Sequence, residues 1–299
     1  MTPANMPASP APDLPLEDEL GDVLEKAMRR AGMDDQALAL RSGVARAKIL
    51  DAIDYRPELD AAELQRLAAA LGLNEVGFSA LANGRYPRPV IDGLPFWVRP
   101  LRMPHGIGVV NAYLVAEAEG VPGLLFDTGT DIAALERAMQ PTRAGIRAVF
   151  LTHAETEHAG GLCDVVAHFG RPSAFVPVGA DTPCGKPAGE GETMAVGRLE
   201  VTVFSTPGHS PAHNCYRVGM PSVPAGRALL VSGDLVFAGS AGGGYFCHRQ
   251  LGTHLRRVLG AVPPDTVVAP GHGPLTTVAQ EKTGNPFFPG FRRPVGQDI

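Results

Sequence analysis

The chain has 299 residues, of which 44% are hydrophobic and 19% are charged, and its formal net charge is −5. This composition excludes wholesale disorder, and the length favours a small domain joined to a larger one. Because the sequence contains no run of about 18 apolar residues and its first fifteen residues carry neither Lys nor Arg, we expect no membrane span and no secretory signal.

The first third of the chain contains two segments of different composition. Residues 1–15 are polar and contain five prolines, so we predict a disordered tail. From residue 16 to 81, Ala and Leu recur with helical spacing, and Leu20, Val23, Leu24 and Ala27 share one face of a helix that ends near Gly32. Shorter helices are predicted at 35–41, 45–52, 61–71 and 75–81. We therefore predict an all-α domain over 16–81 and a Gly- and Pro-rich linker over 82–95.

Within this domain, the tight turn at Ser42-Gly43-Val44 lies between two short predicted helices. Over about 60 residues the spacing resembles the phage-repressor-type helix-turn-helix family. In that family the helix after the turn enters the DNA major groove, which here would expose Ala45, Arg46 and Lys48.

Charge argues against DNA as a partner of the helical domain. Residues 17–80 contain thirteen acidic and eight basic side chains, the opposite of the basic footprint that phosphate binding needs. We therefore expect a helical packing or dimerisation module, and a homodimer stays open. DNA binding through 16–81 is disfavoured but also stays open, because Arg41, Arg46 and Lys48 form a local basic patch.

Beyond the linker, short apolar runs alternate with helical segments, which predicts sheets flanked by helices. Strands are predicted at 96–99, 112–116, 124–126, 148–151, 174–177, 201–204, 228–231 and 266–269. Helices are predicted at 132–139, 160–169 and 254–259.

The four cysteines are far apart in the sequence and form no C-x-x-C pair, as is typical of a reducing compartment. They are Cys163, Cys184, Cys215 and Cys247. We therefore expect a cytoplasmic protein. Cys163, one turn into a predicted helix, is interpreted as an inert core residue.

The run Thr152–Gly161 directly follows a predicted strand and is dense in metal-ligand side chains. It contains His153, Glu155, Glu157 and His158 within six residues. Imidazole and carboxylate groups are common ligands of divalent transition metals. The run therefore indicates a metal site, although a polar loop has a similar composition.

Three more segments offer a ligand at a strand end. His209 lies in Thr-Pro-Gly-His, His272 lies in Pro-Gly-His-Gly, and Asp234 follows Ser-Gly after an apolar run. A glycine turn at a strand end can aim a side chain into a shared cleft. Four such segments together predict one internal metal centre.

The order of these segments, beginning with Asp127-Thr128-Gly129, resembles the metallo-β-lactamase-fold hydrolases over about residues 95–288. The stretch 271–277, with 281–282 and 285–287, is most similar to the glyoxalase II-type thioesterase branch. The resemblance implies an α+β fold, a four-layer αββα sandwich over 96–299, preceded here by the small helix-turn-helix-like domain. This fold alone does not identify a substrate.

The resemblance also implies two divalent metal ions and assigns their ligands. One ion would bind His153, Glu155 and His209, the other Glu157, His158 and His272, and Asp234 would bridge the two. Asp127 would orient a ligand and bind no metal. Asp234 and Glu157 would act as catalytic residues that position a metal-bridging hydroxide for attack on a carbonyl.

The chain departs from the usual His-x-His-x-Asp-His pattern of that family, because Glu155 replaces a histidine and Glu157 replaces the aspartate. The added oxygen donor and charge favour iron or manganese, with zinc still open. The leading hypothesis is hydrolysis of a thioester or related ester-like bond in a small-molecule substrate, whose binding residues the sequence does not identify.

Two alternatives stay open. A di-iron redox or oxygen-binding protein is favoured by Glu155, and a transcriptional regulator would couple the helical domain to a metal-sensing domain. His213, four residues after His209, is either a cleft residue or a structural turn residue.

Overall fold

The structure, a computed structural model, describes residues 14–106, 108–140, 145–223 and 226–288. Most of the predicted disordered tail, residues 1–13, lies outside this range. The last two residues of that prediction, Leu14 and Pro15, are described, and the Leu14 carbonyl accepts a hydrogen bond from Arg88.

Five helices form the N-terminal unit. They are α1 (Leu20–Ala31), α2 (Asp35–Ser42), α3 (Arg46–Ile53), α4 (Ala61–Leu71) and α5 (Glu75–Ala82). The side chains of Asp34, Asp60 and Asn74 each accept a hydrogen bond from a first-turn amide of α2, α4 and α5. Because such caps are local, the helix boundaries agree with the sequence to within one or two residues. The relation to DNA-binding proteins stays a prediction.

Two six-stranded mixed sheets follow. The first contains, in spatial order, β1 (Trp97–His105), β2 (Gly108–Ala116), β3 (Gly123–Phe126), β4 (Ile146–Phe150), β5 (Ser173–Pro177) and β6 (Lys186–Ala188). The second contains β7 (Thr193–Val196), β8 (Leu199–Ser205), β9 (Asn214–Gly219), β10 (Leu229–Gly233), β11 (Val267–Pro270) and β12 (Thr276–Thr277). Strands β3 to β6 run parallel, as do β10 and β11, and the other neighbours are antiparallel.

Five more helices accompany the sheets, namely α6 (Ile132–Met139), α7 (Thr156–Ala159), α8 (Leu162–His168), α9 (His248–Ala261) and α10 (Val278–Gly284). Between the sheets, the Phe150 ring lies 5.2 Å from Phe126 and 5.4 Å from Tyr216. Helices α6 and α8 pack on the outer face of the first sheet, and α9 and α10 cover the second. The predicted mixed fold of two packed sheets flanked by helices is confirmed.

The N-terminal helices share one hydrophobic core with α9, α10 and the outer face of the second sheet. Helix α5 contacts α10 at backbone level, since a Cβ on Gly77 would lie 1.6 Å from the Gly284 carbonyl oxygen. The predicted linker was 82–95, and the structure has neither helix nor strand over 83–96, where Tyr86, Ile91 and Leu94 are buried. The helical unit is therefore packed against the second sheet, and a few buried side chains anchor its connection to β1.

Several short elements were absent from the sequence-based assignment. Strands β6, β7, β9 and β12 and helices α7 and α10 were not predicted, and α9 begins at His248, six residues before the predicted start. The first turn of α9 is His-Arg-Gln, and β6 is Lys-Pro-Ala. Polar or two- to four-residue segments carry too little hydrophobic periodicity to be recognised, and the six-residue β9 is buried at every position except Arg217, so it shows no alternation.

Cys163 on α8 and Cys184, just before β6, form a disulfide with their Cα atoms 6.1 Å apart. This corrects the interpretation of Cys163 as an unpaired core residue and of the cysteines as a set without pairs. The spacing of the cysteines in the sequence did not indicate this pair, because the crossover from α8 through β5 brings together residues that are 21 positions apart. Cys215 and Cys247 are free.

Reduction of this disulfide, or the Cys163→Ser variant, is expected to lower the melting temperature by several degrees. Closing a loop of this size stabilises a fold by about 3 kcal/mol, because the cross-link restricts the unfolded chain. Thermal unfolding with and without reductant measures the effect. Cys247→Ser is the control, and its melting temperature should still fall when reductant is added. A wild-type melting temperature that reductant does not change would contradict the pairing.

Candidate metal centre

The strand ends converge on one cleft. His153 follows β4, His209 follows β8, Asp234 follows β10 and His272 follows β11. The turn before Asp234 needs glycine, because Gly233 has φ of 48° and a Cβ there would lie 2.6 Å from Thr152 Cβ. The local sequence thus aims side chains from both sheets at a common point, as the turns predicted.

Asp234 lies at the middle of the cluster. Its carboxylate oxygens lie 3.6 Å from the Nε2 atoms of His158, His209 and His272. Glu155 Oε1 lies 3.0 Å from His209 Nε2, and its Oε2 lies 4.0 Å from His153 Nε2. The structure therefore brings together six of the seven predicted ligands.

Two groups of side chains have donor atoms within 4.8 Å of one another. The first is His153, Glu155 and His209, the same trio predicted for one metal. The second is His153, His158 and Asp234, which differs from the predicted second set. Their donor atoms suit transition metals that accept nitrogen and oxygen ligands.

Buried polar atoms without hydrogen-bond partners test whether these side chains fit a metal ion. His153 Nε2, His158 Nε2 and Asp234 Oδ1 are buried and have no hydrogen-bond partner among the residues that the structure describes. Leaving such an atom unsatisfied costs about 1–3 kcal/mol. Since these atoms face one another within ligand distance, divalent ions would satisfy all of them, and the residues fit a metal centre.

The other ring nitrogens are held by hydrogen bonds. Asp127 Oδ2 lies 3.0 Å from His158 Nδ1, while the same carboxylate accepts from the Thr152 amide at 2.7 Å and hydroxyl at 2.8 Å. His209 Nδ1 bonds the Gly243 carbonyl at 2.9 Å, and His272 Nδ1 contacts Val109 O at 3.0 Å. Such contacts fix the orientation of ligand imidazoles. Asp127 contacts Nδ1 of His158, while Nε2 of the same ring faces Asp234, as the predicted role of Asp127 in orienting a ligand requires.

The two neighbouring histidines of the cluster have opposite pKa shifts. Burial lowers the pKa of His158, but the hydrogen bond and charge of Asp127 and the charge of Asp234 outweigh it, raising the pKa to about 9. Burial and adjacent imidazoles hold the pKa of His153 well below its usual value. At neutral pH both ring nitrogens of His158 are thus protonated in the metal-free protein, and metal binding must displace the proton on Nε2.

Two predicted ligands, His272 and Glu157, belong to neither group; His272 lies beside Asp234, but Glu157 does not join the cluster. Its Oε1 lies 3.8 Å from Nε2 of His105, at the tip of the β1–β2 hairpin, and its side chain is 21% exposed. The extra methylene relative to aspartate lets the carboxylate turn toward the hairpin. Its assignment as ligand and catalytic residue stays a prediction, and the sequence offered no sign of the His105 contact.

His213 has a structural role that the sequence left open. Its Nε2 accepts a hydrogen bond of 3.1 Å from the Asp234 amide, and its Nδ1 lies 2.7 Å from Thr206 Oγ1. Burial, with the charge of His209, lowers its pKa to about 3, so the ring is neutral and able to accept. The only cue in the sequence was its spacing from His209.

Replacing His213 with alanine is expected to weaken metal binding about tenfold, because the Asp234 amide loses its acceptor and the carboxylate loses its fixed position. Competition with a chromogenic chelator measures the affinity. His168→Ala, which removes an exposed imidazole, is the control. Unchanged affinity in a folded His213→Ala protein would contradict this role.

On α3, the basic side chains predicted to face DNA are paired with acids. Arg46 forms an ion pair with Asp35, and Lys48 Nζ lies 2.8 Å from both carboxylate oxygens of Glu63. Binding phosphate at these positions would require breaking or sharing these pairs.

No helix within the described ranges is both long enough and apolar enough to span a bilayer.

Comparisons with known proteins agree with this geometry. A family model described as "Metallo-beta-lactamase superfamily" matches residues 105–272. The "Probable metallo-hydrolase YqgX" of Bacillus subtilis is 30% identical over 222 residues, which is 64% of this chain and 97% of the relative. The "Probable hydroxyacylglutathione hydrolase glo2" of Schizosaccharomyces pombe is 29% identical over 191 residues, 60% of this chain and 70% of the relative. Among solved structures, BLEG-1 B3 metallo-beta-lactamase is 27% identical with a TM-score of 0.54, covering 64% of this chain and 99% of its own.

Proposed function

The chain belongs to the metallo-beta-lactamase superfamily, and we propose that it is a binuclear metal-dependent hydrolase of a thioester or related ester-like bond. The observation that carries the proposal is the Asp234 carboxylate, 3.6 Å from three imidazoles contributed by α7 and by the turns after β8 and β11. A relative named as a hydroxyacylglutathione hydrolase supports the choice of bond.

Divalent ions bound here would supply Lewis acidity toward a carbonyl oxygen and lower the pKa of water. The residues of the chain do the positioning. The imidazoles of His153, His158, His209 and His272 and the carboxylate of Glu155 would hold the ions. Asp234, a member of the second ligand group, would also position the attacking water, and Glu157 is the second carboxylate assigned to that task.

We propose iron or manganese as the native metal, with zinc as the alternative. Glu155 supplies a carboxylate oxygen, a harder ligand than the imidazole nitrogen it replaces, and harder metals prefer it. Its Oε1 lies within 3.0 Å of His209 Nε2, so its place in the ligand group rests on distance as well as on sequence.

The same residue favours a second candidate, a di-iron redox or oxygen-binding protein, because carboxylate ligands stabilise higher oxidation states of iron. Oxygen uptake by the iron-loaded protein separates the two. Turnover of thioesters without oxygen uptake supports the hydrolase, and oxygen uptake without thioester turnover supports the redox protein.

Chelation tests the hydrolase directly. Removing the metal is expected to abolish hydrolysis of a panel of small thioesters and to lower the melting temperature by several degrees, because a ligand that binds only the folded state stabilises it by mass action. Both effects should reverse when iron or manganese is restored. An unchanged melting curve after verified metal loss would contradict an internal shared site.

A further inference from the structure

The segment that precedes α1 runs beside the metal centre. Glu17 Oε1 lies 3.8 Å from Nδ1 of His272, on the side of the ring away from Asp234. The backbone comes close because residue 273 is glycine, where a Cβ would lie 3.1 Å from the Glu17 amide nitrogen. The family model begins at residue 105, so Glu17 comes from a part of the chain outside it.

The neighbouring residue fixes this segment. Asp18 is buried and accepts hydrogen bonds from Lys26 and from the Ser240 hydroxyl. Lys26 also donates to the Ala241 carbonyl at 2.9 Å. Because Asp18 is tied to the loop that follows Asp234, the backbone of Glu17 is held in place at the centre.

Glu17 adds a partly exposed negative charge beside His272. The exposed fraction of the side chain is 34% for Glu17, 40% for Glu155 and 21% for Glu157. Two divalent ions would bring four positive charges, against the carboxylates of Glu155, Glu157 and Asp234 and that of Asp127, which contacts His158. Glu17 adds a fifth negative charge, and Lys26 is paired with Asp18.

We propose that Glu17 is a specificity-determining residue that makes this site prefer substrates with a positive charge near the scissile bond over substrates with a negative one. The proposal rests on the proposed hydrolase function. A partly exposed carboxylate within about 10 Å of a charged substrate group changes its binding about threefold, in opposite directions for the two charges. The ratio between two oppositely charged substrates therefore changes about tenfold, and salt weakens the effect.

Two thioacetates of opposite charge test it, namely acetylthiocholine and S-acetyl-3-mercaptopropionate. In the metal-loaded wild type, kcat/KM is expected to be higher for acetylthiocholine, and in Glu17→Gln the ratio of the two values should fall about tenfold. Burial raises the pKa of Glu17, so the assay is run at pH 8. Glu119→Gln, an exposed carboxylate in the β2–β3 turn, should leave the ratio unchanged.

A ratio that Glu17→Gln does not alter would overturn the proposal. Loss of metal from this variant would also overturn it, because the residue would then support the centre instead of selecting substrate. Metal analysis of both variants therefore accompanies the kinetics.

Binding of the product thiols separates this proposal from the hydrolase function. Thiocholine and 3-mercaptopropionate both carry a metal-seeking thiolate, and calorimetry of the loaded protein measures their affinities without turnover. If neither thioester is hydrolysed, the hydrolase function fails, while tighter binding of thiocholine that is lost in Glu17→Gln supports the role of Glu17. Equal affinities of the two thiols in the wild type would overturn it.

Discussion

Asp234→Asn should lower kcat/KM for thioester hydrolysis about a thousandfold, because the amide keeps the shape of the carboxylate but removes its charge from the middle of the centre. In the native protein this carboxylate is buried, and the charges of His158, His272 and His209 outweigh burial to hold its pKa below the usual value. Metal content should fall together with activity. Steady-state kinetics and elemental analysis measure both.

The matched control for this variant is Asp265→Asn, which changes an exposed aspartate in the turn before β11. It should keep full activity and metal content. A folded Asp234→Asn protein with two bound metals and near-native turnover would remove Asp234 from the mechanism.

Glu155→His should change the metal that the protein holds. Purified without added metal, the wild type is expected to contain two iron or manganese ions per chain, and the variant is expected to contain zinc, because an imidazole nitrogen replaces a carboxylate oxygen and one negative charge disappears. The stronger Lewis acid should also raise hydrolytic turnover. Elemental analysis beside the thioester assay tests both expectations.

For this substitution, Glu119→His adds a surface imidazole in the β2–β3 turn, outside both ligand groups, and should leave the metal unchanged. Stoichiometric zinc in the wild type, with the same metal content in Glu155→His, would show that Glu155 does not select the metal. The chain would then be an ordinary zinc hydrolase in this respect.

The clustering of these side chains was predictable because most of them stand in short motifs at strand ends. His209, Asp234 and His272 follow glycine-containing turns whose geometry is local, so the sequence alone indicates where these side chains point. Helix boundaries were predictable for the same reason, because side-chain caps and terminal glycines act within one turn.

Contacts between distant segments were not predictable. The hydrogen bond from the Asp234 amide to His213 spans 21 residues, and Glu17 meets His272 from the opposite end of the chain. The disulfide also depends on the crossover from α8 through β5, and hydrophobic patterning does not indicate which residues a crossover brings together. The direction of the flexible Glu157 side chain depends on its surroundings. His105, which it contacts, belongs to a hairpin that the sequence did not connect with the site.

The close contact between Gly77 and Gly284 has a consequence for synthesis on the ribosome. Helices α1 to α5 are made first, yet the apolar side chains of Phe78 and Leu81 are buried in a core completed by β10, β11 and α10. The core around these side chains stays incomplete until about 200 further residues have been translated. Helices α1 to α5 thus reach their final packing only after α10 has left the ribosome.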